Sequence, residues 1–177
     1  FYPDNCVDIF RIFKLDFLGK IDIFWASPPC QSFSVASMGK HWNKDNTPKT
    51  EKAVLGIEIL RHTIRLILRN KPTYWFIENP RGKMRKVIDQ IFKEFGITHY
   101  VRHTVTYCQY SDSRMKPTDI WTNCLSWKPR PACKNGDNCH EKAPRGSKTG
   151  TQGLKGAKER GVIPSELFKE IFDSIEK

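Results

Sequence analysis

The sequence has no run of about 18 apolar residues, the length that a helix needs to cross a bilayer. It opens with no basic, then apolar, leader of the secretory kind. No internal repeat is present. Acidic residues are scarce, 19 against 30 lysines and arginines, so the net charge is +11. That excess suits a polyanion, and nucleic acid is the commonest one, although solubility alone would also use it. Cysteine is too sparse for a disulfide-stapled scaffold. Six thiols in 177 residues without a leader read as reduced cysteines, and the expected compartment is the cytoplasm. His41, His62, His99 and His103 have no partner at ligand or catalytic spacing, which leaves a cysteine hydrolase without a persuasive base. The first residue is Phe1, not Met, so a true start further upstream is expected.

What is present is the composition of one globular domain, 38% hydrophobic and 28% charged, long enough to bury a core. Val7 to Phe10 and Ile21 to Ser27 read as strands, the second apolar almost throughout, as a strand buried on both faces should be. Residues 36 to 50 read as a loop. From Glu51 to Arg69, Val54, Leu55, Ile57, Leu60, Ile64, Ile67 and Leu68 recur at helical spacing, stopped by Asn70, Lys71 and Pro72. Thr73 to Glu78 is the next strand, and Met84 to Phe95 an amphipathic helix ended by Gly96. Ile97 to Tyr110 is strand material that could pair with Thr118 to Thr122. The alternation predicts an α/β fold, Rossmann-like, with a mainly parallel sheet and helices on both faces. Between Cys124 and Gly161 the chain turns basic and glycine-rich, with nine basic and three acidic residues. A last helix, Pro164 to Ile175, carries Leu167, Phe168, Ile171, Phe172 and Ile175 on one side. The expected division is a partial catalytic core (1–123), a basic loop-rich insertion (124–160) and a closing helix that packs back (161–177).

In open α/β sheets, ligands sit outside the carboxyl ends of the strands. Two segments fall there. Ser27-Pro-Pro-Cys-Gln-Ser-Phe-Ser34 places a cysteine on a turn stiffened by two prolines, the rigid seat that a nucleophile needs. A free thiol ionises near ~8.5, so such a site must favour the anion. From position alone, Cys30 could equally be a buried structural cysteine. Phe76-Ile-Glu-Asn-Pro80 puts an acid at the end of an apolar strand, where burial is costly without a purpose. The plain alternative for Glu78 is an exposed loop carboxylate capping the helix that starts at Met84.

Taken in order, these segments resemble the cytosine-5 DNA methyltransferase family. That family has Pro-Cys-Gln after one strand and Glu-Asn-Val after the next, and this chain has Pro29-Cys30-Gln31 and Glu78-Asn79-Pro80. A third match, Tyr107 to Asn123, falls where the family has Gln-x-Arg-x-Arg. Here the aligned residues are Asp112, Arg114 and Lys116, so only the central arginine is kept. The Lys116-Pro-Thr-Asp-Ile-Trp-Thr-Asn123 run is similar to phage and bacterial members. Val162-Ile-Pro-Ser-Glu-Leu167 resembles their closing helix. The resemblance covers roughly 5–123 and 160–176.

It implies that Cys30 adds to cytosine carbon 6, that Glu78 stabilises a proton at ring nitrogen 3, and that Arg114 holds the carbonyl at position 2. Pro29, Gln31, Ser32, Asn79 and Lys116 would line the base. S-adenosylmethionine would be the methyl donor, with Asp8 accepting from the adenine amino group and Ile9, Ser27 and Pro28 in the same cleft. DNA would be the partner, its base flipped out of the stack, for restriction, phage self-protection or regulation. The family's Phe-x-Gly-x-Gly cofactor loop has no counterpart. A missing N-terminal segment or subunit, and weak cofactor binding by this chain alone, are therefore expected. Two rivals follow: a catalytically incomplete DNA-binding fragment or half of a split enzyme, and an amino-group DNA methyltransferase, which would place an aromatic residue after its prolines.

Cys124, Cys133, Cys139 and His140 could bind structural zinc, since a short charged loop has little core of its own and a metal could order it. Four unrelated residues in a basic loop are the alternative.

Overall fold

A computed structural model of the chain describes residues 8–12, 19–134, 136–142 and 157–176. Cys6, Val7 and the glycine-rich stretch 143–156 lie outside them. In chain order come strand β1 (Ile23–Ala26), a short helix α1 (Met38–His41) and helix α2 (Glu51–Asn70). Strand β2 (Tyr74–Pro80), helix α3 (Met84–Glu94) and strands β3 (Val101–Thr106) and β4 (Pro117–Thr122) follow. A short helix α4 (Ala157–Gly161) and helix α5 (Ser165–Ile175) complete the elements. The expected α2 and α3 stop where the sequence signals them. Lys71 turns left-handed at φ 46° after α2, and Gly96 does so at φ 70° after α3.

The four strands form one sheet in the order β1-β2-β4-β3. β1 and β2 run parallel, joined through α2. β2–β4 and β3–β4 are antiparallel, so among the described strands the sheet is mixed and not mainly parallel. The reason is connection length: residues 107–116 between β3 and β4 are too few to cross back over the sheet, and a direct return must be antiparallel. The α/β class and the pairing of β3 with residues 118–122 stand as expected. Val7 to Phe10 does not give a strand among its described residues. Ile9–Arg11 is instead a 3-10 turn, because Asp8 Oδ1 accepts from Phe10 N at 3.0 Å and Asp8 O accepts from Arg11 N at 2.9 Å.

Alternation along the strands divides the core into two layers. On one face, Trp75, Ile77 and Trp121 meet Leu60, Ile64 and Ile67 of α2 and Ile88, Ile91 and Phe92 of α3. On the other, Phe76, Val105 and Ile120 meet Trp127 and Leu167 and Ile171 of α5. Helices therefore cover both faces, and each buried leucine or isoleucine contributes about 1.5–3 kcal/mol. Trp25 of β1 stacks on Phe76 at 5.8 Å and meets Phe168 of α5 edge-on at 4.6 Å. Tyr74, Trp75 and Phe76 are core, as their apolar run suggests. No helix among the described residues is long and apolar enough to span a membrane.

Candidate active site

The parallel register pairs Ala26 with Ile77. One step further on, Ser27 and Pro28 leave β1 beside Glu78 and Asn79 of β2. Asn79, wholly buried, locks the two exits together by donating from Nδ2 to Pro28 O at 2.8 Å. Beyond the prolines the chain folds into a tight turn: Phe33 N and Ser34 N both donate to Cys30 O, at 3.0 and 2.9 Å. Buried Phe33 anchors that turn against Trp42 at 5.5 Å, and Trp42 Nε1 donates to Ser32 O at 2.7 Å. On its far side the turn rests on Gly82, where an added Cβ would stand 2.3 Å from Phe33 O. Lys83 N donates to the same oxygen at 2.7 Å. Cys30 is a half-buried free thiol at the head of this rigid turn, with Pro29 and Gln31 exposed on either side. Ser32 is buried beneath it.

Glu78 is not an exposed cap: it is 5% exposed. Its Oε1 accepts from Tyr107 Oη at 3.0 Å. Burial raises the Glu78 pKa above the ordinary carboxyl value, against the Lys116 ammonium and the Tyr107 and Ser27 hydroxyls, which favour the anion. A carboxyl so placed can carry a proton. Lys116 faces it from the start of β4. Its pKa is lowered by burial, while the charges of Glu78 and Cys30 pull it back up. The ammonium also donates to Arg160 O at 2.8 Å and lies 4.5 Å over the Tyr107 ring.

Arg114, expected to hold the carbonyl of the base, is engaged within the protein. Its guanidinium pairs with Asp112, through Nε to Oδ1 at 2.7 Å and through Nη2 to Oδ2. It also donates to Glu159 O and Val162 O, at 3.0 and 3.1 Å. Arg114 therefore clamps the β3–β4 connection to the segment before α5, and the groups that hydrogen-bond to Glu78 are the Tyr107 and Ser27 hydroxyls. Tyr107 was not singled out from sequence, and nothing in its apolar surroundings marks it as a carboxylate partner. His41 and Trp42 are buried. His41 Nδ1 lies 2.7 Å from Thr50 Oγ1.

On the β1 side lies a largely apolar cavity of about 600 Å³. Ile9, Ser27, Pro28 and Pro29 line it, with Ile59 and Leu66 of α2 opposite. Asp8 stands exposed at the turn that forms its edge. Cys124 is absent from the cysteine–histidine group that the structure assembles. It is fully buried among Phe76, Trp127 and Leu167, its sulfur 3.4 Å from Ser126 Oγ. The thiol that joins Cys133, Cys139 and His140 is Cys108.

The α/β fold thus brings a thiol on a proline-stiffened turn and a buried carboxyl to two adjacent strand ends, with a cavity along the first strand. Residues 2–110 match the family of C-5 cytosine-specific DNA methylases, and the chain belongs to that family. It is 27% identical over 171 residues to a "Probable DNA (cytosine-5)-methyltransferase" of Frog virus 3 (isolate Goorha), covering 87% of this chain and 75% of that protein. Among solved structures, it is similar to a DNA modification methyltransferase encoded within an E. coli prophage, at 15% identity and TM-score 0.45, over 66% of this chain. It is also similar to a Spodoptera frugiperda DNMT2 variant, at 20% identity and TM-score 0.31, over 62% of this chain. The match spans 32% of each of those two chains, about a third of their length.

Proposed function

We propose that this protein methylates cytosine at carbon 5 in DNA through a covalent adduct with Cys30. The observation that carries the reading is the pairing of the two strand exits, which sets the Cys30 turn beside the strand end that bears the buried Glu78 carboxyl. Cytosine is a poor nucleophile at carbon 5. Adding the Cys30 thiolate to carbon 6 makes the ring enamine-like, and a proton held at ring nitrogen 3 by Glu78 draws off the charge that builds up. A carboxyl raised by burial can hold that proton. Arg114 serves as a positioning residue for the loop that carries Lys116, and Asn79 as one for the turn that carries Cys30.

The methyl donor would be S-adenosylmethionine, held in the cavity lined by Ile9, Ser27 and Pro28. Its volume lies within the usual range for small-molecule sites, and Pro29, the neighbour of Cys30, is part of its lining. When bound, the cofactor supplies an electrophilic methyl group. Pro29 and Gln31, exposed beside the thiol, would border the flipped base, and the chain's basic excess would supply phosphate contacts. The free thiols suit the reducing cytoplasm.

Duplex DNA carrying 5-fluorocytosine, incubated with the chain and saturating S-adenosylmethionine, tests the assignment. A denaturation-resistant protein–DNA adduct is expected, and Cys30→Ala should abolish it. An adduct that survives Cys30→Ala, or an amino-methylated base in place of 5-methylcytosine from ordinary DNA, would overturn it.

A further inference from the structure

We propose that Cys108, Cys133, Cys139 and His140 bind one structural zinc ion that pins segment 131–142 to the turn carrying Tyr107. These side chains come from two stretches far apart in sequence: the 3-10 turn after β3 and the loop after Trp127. Their ligand atoms all lie within 4.8 Å of one another. Tetrahedral zinc, with Zn–S near ~2.3 Å and Zn–N near ~2.0–2.1 Å, sets S–S edges of about 3.8 Å and S–N edges of about 3.6 Å. The cluster already shows those edges. Cys139 Sγ is 3.7 Å from Cys108 Sγ, and His140 Nδ1 is 3.7 Å from Cys133 Sγ and 3.6 Å from Cys139 Sγ. Cys108–Cys133, at 3.1 Å, would have to open, and the two remaining pairs already lie within 4.8 Å. Adjacency of Cys139 and His140 is no obstacle, because the chain bends so that both ligand atoms face the same point.

The surroundings fit a metal site. Among the described residues of 131–142 none is buried, so the loop has no apolar core to order it. Its shape is nevertheless defined. Gly136 turns at φ 103°, Lys134 N donates to Asp137 Oδ2 at 2.7 Å, and Cys133 N donates to Thr106 Oγ1 at 2.9 Å. Gln109 Nε2 reaches Cys139 Sγ at 3.5 Å, as outer-shell donors to zinc-bound thiolates do. Glu141 N donates to Ser113 O at 2.9 Å and closes the loop on the β3–β4 connection. Binding releases the three thiol protons to solvent. Three thiolates and a neutral imidazole around a dication leave a single negative charge. Four protein ligands close the coordination shell, so the ion has no open position for chemistry. Its task would be mechanical: Cys108 is the residue after Tyr107, whose hydroxyl meets Glu78.

The full chain, purified under reducing conditions without chelator, should carry one zinc per chain by elemental analysis. Cys108→Ser and Cys139→Ser should each lose most of it, whereas Cys124→Ala should keep it. If a variant fails to fold, cobalt substitution of the wild type still decides: three thiolates in a tetrahedral field give intense charge-transfer and ligand-field bands. Removing the metal should speed amide exchange in 107–110 together with 131–142. A zinc-free wild type, cobalt bands of an octahedral oxygen site, or zinc lost in Cys124→Ala but kept in Cys108→Ser would each overturn the proposal.

Discussion

Tyr107→Phe removes one oxygen from a wholly buried ring and leaves its packing in place. What it deletes is the 3.0 Å hydrogen bond from Tyr107 Oη to Glu78 Oε1, between two buried groups with little water to substitute for the donor. The cost depends on the charge of the acceptor. With Glu78 protonated the bond is neutral and worth about 0.5–1.5 kcal/mol, and with Glu78 ionised it is worth about 1.5–3 kcal/mol. Burial already raises the Glu78 pKa, and the tyrosine hydroxyl is among the groups that oppose the rise. Without it the rise is larger. A carboxyl raised in the fold contributes stability that is complete below its ordinary value of 4.5 and is lost as pH climbs through its folded value. The destabilisation by Tyr107→Phe should therefore grow with pH. Urea unfolding at a pH below 4.5 and again well above it measures this directly. A penalty that is equal at both pH values, or smaller at the higher one, would refute the assignment of this hydrogen bond to an ionisable, buried Glu78.

Glu78→Gln removes the titration itself. Its unfolding midpoint should lack the fall that the wild type shows above pH 4.5, and a fall of equal size in the variant would place the titrating group elsewhere. Gly82→Ala should cost about 1–3 kcal/mol, because its Cβ meets the Phe33 carbonyl that Lys83 N also needs. The unfolding midpoint reads that cost, and alkylation of Cys30 by a thiol reagent should quicken as the turn loosens. Arg85→Leu leaves Asp119, 0% exposed, without its two-pronged partner and with only Thr104 Oγ1 at 2.8 Å. A loss of about 3–5 kcal/mol is expected, and a neutral outcome would show that the pair does not hold β4 to α3.

How far the sequence carried the structure depends on the range of the interactions. Helices α2 and α3 were legible to within a residue or two, because periodic leucines and isoleucines and the stops at Lys71 and Gly96 act locally. The strand ends bearing Cys30 and Glu78 were equally legible, because proline interrupts an apolar run in both. Strand direction was not: it depends on the length and course of the 107–116 connection, and apolar periodicity is blind to both. The 3-10 turn at Ile9–Arg11 was missed because the Asp8 side chain satisfies backbone donors that a strand would have paired. The choice of Cys124 over Cys108 failed for a related reason. Spacing along the chain favours the nearer cysteine, whereas the fold buries Cys124 in the core and brings the end of β3 to the loop.

The partners of Glu78 show why the centre of the site was only half visible. Register in a parallel pair is local to two strands, so Pro-Pro-Cys and Glu-Asn-Pro meet once β1 and β2 pair. Tyr107 and Lys116 stand at the two ends of the connection from edge strand β3 to β4, and the antiparallel pairing of β4 with β2 and of β3 with β4 brings them to the end of β2. Lys116 holds a left-handed backbone, φ 24°, which a side chain with a Cβ adopts at a cost of about 1–2 kcal/mol. The same backbone places its ammonium between the Tyr107 ring and the Arg160 carbonyl. Burial pushes the Glu78 carboxyl and the Lys116 ammonium each towards neutrality, while their attraction resists it.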